Sequence, residues 1–476
     1  MIDTEQLVRS LPEQRWYSGR GRRLSSIEMI DQAVIEDGNA PLVTAVVRAE
    51  FEDGGEDRYN LLLVLHEDGS IGDAFDEVER LRALGLAMAQ HMTLKGRRGV
   101  FHFSGAGLDP AATLGYKSIR AVESEQSNSS VILDDEVIVK AFRRPGSGPN
   151  PDLQLNRWLT SEGFENVPPQ VGEMAYLPEE PGSDEGTDAT IDLAIAQQWI
   201  DGADGWQEVL GHLKRVYDEV DPADAAEDMP SLVEERSGRM LDQLEELGDV
   251  TAALHIALAR QENDVDFAPQ SVRKGDIQGW TERIEASLHD LLFRGVDELA
   301  ELRPDVEVLL GRLRDITDAG SMTRIHGDYH LGQVMLAARG WMIIDFEGEP
   351  LRPIEARRLK QSPLRDVAGM LRSFNYAVYS GLFERAEPDS DEWRALQPWA
   401  DQWERMARDR FIKAYFRKSH EGRFLAHDRD ALNTMLHVFE LDKALYEVGY
   451  ELNHRPGWVR IPLRGITQLL AGGGAR

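Results

Sequence analysis

The chain has 476 residues, with 53 Lys or Arg against 84 Asp or Glu, for a formal net charge of −31. That balance excludes a nucleic-acid binder working through a broad basic surface and disfavours docking on anionic lipid. The absence of cysteine excludes disulfides, thiolate metal sites and cysteine nucleophiles. Hydrophobic residues make up 42%, enough to build cores for the two or three domains that this length suggests. Met1 to Gln6 lack the basic start and apolar stretch of a signal peptide, and no apolar run approaches membrane-spanning length. The expectation is a soluble, cytoplasmic protein with no membrane partner.

In chain order, Leu42 to Phe51 and Tyr59 to Leu65 are strand-like runs around a polar, glycine-containing turn at 52–57, and read as a hairpin. Phe75 to Gln90 has helical spacing of Leu and Ala. Short strands follow at Ser118 to Val122, Ser130 to Leu133 and Val137 to Phe142, with turns at Asn128 and at Asp134-Asp135. The proline-punctuated stretch from Pro145 to Pro151 reads as a connection, and Leu153 to Leu159 as a helix. Val171 to Leu177 and Thr190 to Ile200 are predicted strands, separated by an acidic loop from Pro178 to Asp188. After about Gly205 the pattern is helical. Met240 to Leu258 carries apolar residues at a period near 3.6, and similar stretches span 277–293, 305–316, 367–381, 393–416 and 428–451. The organisation predicted is an N-terminal mixed α/β cap (1–110), a β-rich lobe (111–204) and a mainly helical lobe (205–476). That makes an α+β chain with two lobes beyond its cap.

The densest polar cluster is His326-Gly327-Asp328-Tyr329-His330-Leu331-Gly332-Gln333, followed twelve residues later by Asp345. Two glycines make the first segment poor helix material, so it reads as a loop. Trp341 to Ile344 is a short apolar strand that delivers Asp345 at its end. A loop with one Asp and an amide, joined through a hairpin to a second Asp, matches the layout of phosphoryl transfer. One carboxylate accepts the proton of the attacking hydroxyl, while oxygen donors hold magnesium on the phosphates. Zinc ligation by His326 and His330 at i, i+4 is the competing reading. It needs a helix that Gly327 and Gly332 oppose, and it lacks a Glu beside His326.

These residues resemble the catalytic loop and metal-binding segment of aminoglycoside phosphotransferases, a branch of the protein-kinase-like enzymes. Nearly the whole chain is similar to actinobacterial maltokinases and the glucosamine kinases that share their architecture. The likeness is carried by Gln14 to Arg20, Glu125 to Ser130, Ile344 to Pro350, Ser362 to Met370 and Phe439 to Glu447. It implies a bilobal protein-kinase-like fold with Asp328 as catalytic base and Gln333 and Asp345 as Mg2+ ligands. It implies ATP as co-substrate, with Lys140 neutralising its phosphates. Ser127, Asn128, Ser129 and Ser130 would form the loop over those phosphates, and Gln197, Gln198, Trp199 and Ile200 the hinge that reads adenine. Kinases fix such a lysine with a Glu from the next helix. Here that helix offers Gln154, with Asp152 in its first turn, which leaves the partner of Lys140 open. Asp366 is expected to prop the catalytic loop, and His255 to be a satisfied core histidine.

The acceptor site should lie near Asp328, with Glu440, Tyr446 and Glu447 on the helix 428–451 and Trp458 after it as candidates. Sugars call for carboxylates at their hydroxyls and aromatic faces at their apolar side. Glu440 and Glu447, seven apart, share a helix face. The alternative is that this is simply a solvated acidic face. Glucosamine, a cation at neutral pH, is preferred over maltose for so acidic a protein. An aminoglycoside acceptor and a non-catalytic nucleotide-binding regulator are the further alternatives.

Overall fold

The computed structural model describes residues 2, 4–17, 19–122, 128–146, 148–179, 190–220, 228–260, 264–349 and 352–473. Two compact units divide it: Met1–Asp201 with Glu349–Arg357, and Gly202–Gly348 with Arg358–Arg476.

The first unit opens with α1 (Thr4–Ser10) and a four-stranded antiparallel sheet of β1 (Leu24–Glu36), β2 (Leu42–Phe51), β3 (Glu56–Leu65) and β4 (Ile71–Asp73), in that order. The β2–β3 turn is set by Gly54 at φ 82° and by Asp53, whose Oδ1 accepts from Gly55 N at 3.0 Å. Along β2 the two-residue period sends Val43, Ala45 and Val47 to one core with Trp16, Tyr17 and Tyr59. Leu42 and Val46 go to a second core on the other face. Both faces are covered, which is why the run is apolar throughout rather than alternating.

The second core is shared with α2 (Arg82–Ala89) and a seven-stranded sheet built from β5 (Thr93–Lys95), β6 (Gly99–Ser104), β7 (Ile119–Ala121), β8 (Ser129–Leu133), β9 (Val137–Ala141), β10 (Gln170–Pro178) and β11 (Ile191–Gln198). Its order is β5-β6-β10-β11-β9-β8-β7, antiparallel throughout. Residues 93–104, assigned to the cap by the sequence pattern, therefore belong to this larger sheet, with β5 on β6 and β6 on β10. The unit also contains α3 (Pro110–Gly115) and α4 (Pro151–Ser161). Asn150 caps α4, its side chain accepting from Asp152 N and Leu153 N, and Pro151 supplies a pre-set first turn.

The second unit begins with β12 (Gly202–Asp204) and α5 (Gly205–Asp218), capped by Asp204 through Gln207 N. It continues through α6 (Met229–Leu258), β13 (Gln270–Ser271), α7 (Lys274–Phe293), α8 (Glu298–Asp315), β14 (Ser321–Met322), β15 (Val334–Ala337) and β16 (Gly340–Ile343). The short α9 (Ile354–Arg357) belongs to the first unit. The chain then runs through α10 (Leu364–Arg385), α11 (Asp391–Ser419), α12 (Arg429–His454) and α13 (Arg460–Gly473). Strands β12, β15 and β16 form a small antiparallel sheet. Helix α10 packs against α5, α11 and α12, and is buried on nearly every turn. Among the described residues no helix is long and apolar enough to cross a membrane.

Candidate active site

In the second unit the segment 326–333 is a loop closing in one 3-10 turn, Leu331–Gln333, before β15. Gly327 takes φ 86°, and a Cβ there would sit 3.3 Å from the Gly348 Cα. Glycine at 327 thus permits both the left-handed backbone and the close approach. Gly369 of α10 meets the same loop, since a Cβ would fall 2.6 Å from the Tyr329 carbonyl oxygen.

The loop is clamped by one buried carboxylate. His326 N donates to Asp366 Oδ2 at 2.7 Å, and Gly327 N to Oδ1 at 2.9 Å. Burial opposes the charge of Asp366, but the His255 hydrogen bond and these N–H groups outweigh it and hold the carboxyl below the ordinary range. His255 Nε2 lies 3.1 Å from Asp366 Oδ2, and its Nδ1 lies 2.9 Å from the Tyr415 hydroxyl, whose proton burial holds firmly. His255 thus engages both ring nitrogens inside the protein, one with Asp366 and one with Tyr415. Asp366 props the loop and His255 is a satisfied core histidine, as the sequence led us to expect. Tyr329 O–H meets Thr251 at 2.9 Å, and Leu331 N donates to Ser373 Oγ at 3.0 Å.

His326 stitches the loop to the second carboxylate segment. Its Nε2 sits 2.9 Å from the Ile344 carbonyl oxygen, and its Nδ1 accepts from Asp328 N at 3.4 Å. Both ring nitrogens are thereby used inside the protein, which leaves no place for zinc on His326. Ile344 N donates to the Gln333 carbonyl at 3.0 Å, and Gln333 Nε2 to Asp345 Oδ2 at 3.2 Å. Asp345 holds φ at 63°, a conformation that costs a non-glycine residue roughly 1 kcal/mol. An amide and a carboxylate side by side are oxygen donors of the kind a hard divalent cation takes. The Asp328 carboxylate, 20% exposed, faces Lys443 Nζ of α12 at 3.5 Å and His330 Nε2 at 3.9 Å. Loss of hydration pushes the His330 imidazole down, partly offset by Asp328, so it is neutral at pH 7.

In the first unit, Lys140 of β9 stands opposite Ser130 of β8 and Ile195 of β11. Its Nζ lies 3.1 Å from Asp152 Oδ2, with the two side chains 12% and 1% exposed. The acid fixing this lysine is Asp152, in the first turn of α4, and not a residue at the place of Gln154. Asn156 Nδ2 donates to Asp152 Oδ1 at 2.8 Å, and Gln197 Nε2 donates to Asn156 Oδ1 at 3.0 Å.

The family model described as "Maltokinase N-terminal cap domain" matches residues 11–79, and that described as "Phosphotransferase enzyme family" matches residues 118–348. Residues 118–348 are thus similar to this phosphotransferase family, and residues 11–79 to the maltokinase cap. A glucosamine kinase of Mycolicibacterium smegmatis is 27% identical over 74% of this chain and 79% of its own. One of Streptacidiphilus jiangxiensis is 26% identical over 74% and 73%. A solved glucosamine kinase in complex with glucosamine, ADP and inorganic phosphate superposes with a TM-score of 0.68. It is 20% identical and covers 99% of this chain and 100% of that one. A second crystal form gives 0.70 at 21% identity, covering 98% and 99%. At this identity the structural likeness is one of fold.

Several of the residues expected at the nucleotide are engaged within the protein. Ser129 Oγ accepts from Arg143 Nε at 2.8 Å, and Arg143, itself buried, stacks on Trp16 and Phe75. Ser130 and Asn128 are buried, and Ser127 lies outside the described residues. The N–H groups of Gln198 and Trp199 are taken by the carbonyls of Pro169 and Glu136, at 2.9 and 2.7 Å. The hinge expectation therefore narrows to Ile200 and the carbonyl groups of 197–200, with the Gln197 amide turned inward. The Trp199 ring lies under Arg120.

The acceptor-side expectations need correction too. Glu440 and Glu447 do share a face of α12, but it is the inner one. Glu440 is 2% exposed and paired with Arg408 of α11 at 2.8 Å, and Glu447 is held by Arg372 of α10 at 2.8 Å. A sugar would have to displace Arg408 and the buried Arg372 to reach them. Trp458 stacks on Phe383 at 5.7 Å between ring centroids, beneath Arg455. Tyr446 is the candidate left at the surface, 41% exposed, with Lys443 Nζ 5.2 Å above its ring. Lys443 is the residue sequence reasoning passed over. It lies inside the 439–447 motif, and a lone lysine among acids that all face inward was the available signal.

Proposed function

We propose that the chain is an ATP-dependent glucosamine kinase, transferring the γ-phosphate to the primary hydroxyl of the aminosugar. The observation that carries this reading is the clamped loop, in which Asp366 fixes the backbone at 326–327 next to Asp328, and Gln333 at the loop's end meets Asp345. Asp328 accepts the hydroxyl proton as the new O–P bond forms, which raises the nucleophilicity of the oxygen. Gln333, through its amide oxygen, and Asp345 would hold Mg2+, which when bound neutralises charge on the phosphates. Lys140, immobilised by Asp152, adds a fixed positive charge for the nucleotide. Lys443 orients the Asp328 carboxylate, and Tyr446 offers an aromatic face to the sugar ring. Relatives named glucosamine kinases, similar over three-quarters of the chain, support the aminosugar as acceptor, and the need for ATP points to the cytoplasm as the setting.

The maltokinase-type cap favours maltose as the second reading. ADP release is measured with Mg-ATP and, in turn, glucosamine, maltose and kanamycin, for the wild type and Asp328→Asn. Turnover on glucosamine that vanishes in the variant is expected. Turnover on maltose alone would replace the aminosugar, and turnover on none of the three would remove the kinase assignment.

A further inference from the structure

In the second unit, at the far end of α11 from its first turn, the loop 420–428 and the start of α12 enclose a cavity of about 540 Å³. None of its lining residues belongs to the catalytic loop or to the Asp345 segment. The lining includes Lys413, Arg417, His420, Arg423, His427 and Arg429, and no aspartate or glutamate. For a chain of net charge −31 that is a pronounced local reversal of sign.

Three of these cations are already matched from outside the cavity. Lys413 meets Asp409 at 3.5 Å, His427 meets Asp318 at 3.0 Å, and Arg417 meets Glu245 and Asp249 at 3.0 and 2.9 Å. Among the described residues no carboxylate pairs with His420, Arg423 or Arg429. Arg423 in addition holds a left-handed backbone, φ 55°, at a cost of roughly 1 kcal/mol. The rest of the wall is apolar, from Ile412, Phe416, Leu425 and Leu432. The volume lies within the range of about 300–1,000 Å³ typical of small-molecule sites.

A cationic lining in which Arg423 and Arg429 have no carboxylate partner among the described residues suits a dianion better than a single carboxylate, because each guanidinium fork can take two oxygens. The apolar wall suits a ring carried by that anion. We propose that this cavity is a second ligand site, for a phosphate monoester of a small ring compound, either a sugar phosphate or a nucleoside monophosphate. Mutual repulsion among the cations is relieved when the ligand enters, so affinity rises with its charge.

The test is titration calorimetry on the full chain saturated with Mg-ADP, which occupies the nucleotide site. Glucose 6-phosphate, AMP and sulfate are the probes, at matched ionic strength. One monoester bound per chain is expected, weakened at least tenfold in Arg423→Gly and in Arg429→Ala, with turnover in the absence of monoester unchanged. The tighter of glucose 6-phosphate and AMP identifies the natural source. Arg423→Gly suits the left-handed backbone, so lost binding with an unchanged or raised melting temperature cannot be misfolding. Absence of monoester binding, binding unaltered in both variants, or sulfate binding equally well would overturn the proposal.

Discussion

Each unit contains a lysine–aspartate pair, and the two differ in what surrounds them. Lys140 and Asp152 meet at 3.1 Å with almost no access to water, and Asp152 is further tied by Asn156. Lys443 and Asp328 meet at 3.5 Å with side chains 32% and 20% exposed. A sealed pair has traded its hydration for one fixed geometry, and removing either partner strands a charge. An open pair keeps water as an alternative partner, so its carboxylate can turn to a new one at little cost. The first arrangement suits a cation that must stay still, and the second suits a carboxylate that must accept a proton.

Substituting the two aspartates should separate these roles. For Asp328→Asn the expected loss of turnover is about 10²- to 10⁴-fold, the usual contribution of a positioned base, with little change in unfolding midpoint. Steady-state ADP release and a urea titration measure both, and a midpoint that collapses with activity would make Asp328 structural. The mirror case is Asp152→Asn, where the amide can still accept from Asn156 but no longer offers Lys140 a negative charge. Here stability should fall by about 3 kcal/mol, with KM for ATP rising as Lys140 loses its fixed place. An unaltered KM would remove Lys140 from nucleotide binding.

How much of this was legible beforehand depended on whether the information was local. The hairpin of β2 and β3, the helices of the second unit and the polar loop 326–333 all announce themselves by period, turn chemistry or composition within a dozen residues. Strand β1 does not. Its sequence, Leu24 to Glu36, carries Ser, Glu, Asp and Gln, because one such residue, Asp31, is buried to accept from Arg97 N and Arg98 N across the fold. Likewise Glu440 and Glu447 look like a sugar-binding face until α10 and α11 bring up Arg372 and Arg408, from far away in the chain. Acids on a helix show where charge is, and only the fold shows what neutralises it. Asp152 became decisive for a similar reason, since the fold brings the first turn of α4 to Lys140, whose partner the sequence leaves open.

A third carboxylate, Asp366, sharpens the comparison, being buried and ionised with no lysine at all. Its depressed folded pKa contributes stability that is fully present above the ordinary carboxylate value. That contribution is lost as the pH falls through the lower, folded value. Asp366→Ala leaves the N–H groups of His326 and Gly327 without their acceptor, and should cost about 2–3 kcal/mol at neutral pH. Urea midpoints measured from pH 7 downward should show wild type and variant converging in acid. A gap that does not narrow would mean that Asp366 acts through packing and not through charge.

The smallest expected change in stability, and the sharpest test of the open pair, is Lys443→Met. The thioether keeps the aliphatic length over Tyr446, so the unfolding free energy should move by less than about 1 kcal/mol. Turnover should nevertheless fall several-fold, with KM for ATP unchanged, because the ammonium faces Asp328. Replacement by arginine distinguishes the two ways this could arise. A guanidinium restores the charge but cannot occupy the same point 3.5 Å from Oδ1, so partial recovery indicates an electrostatic role and none indicates strict positioning. If Lys443→Met loses stability as Asp152→Asn does, the distinction between a sealed and an open pair fails.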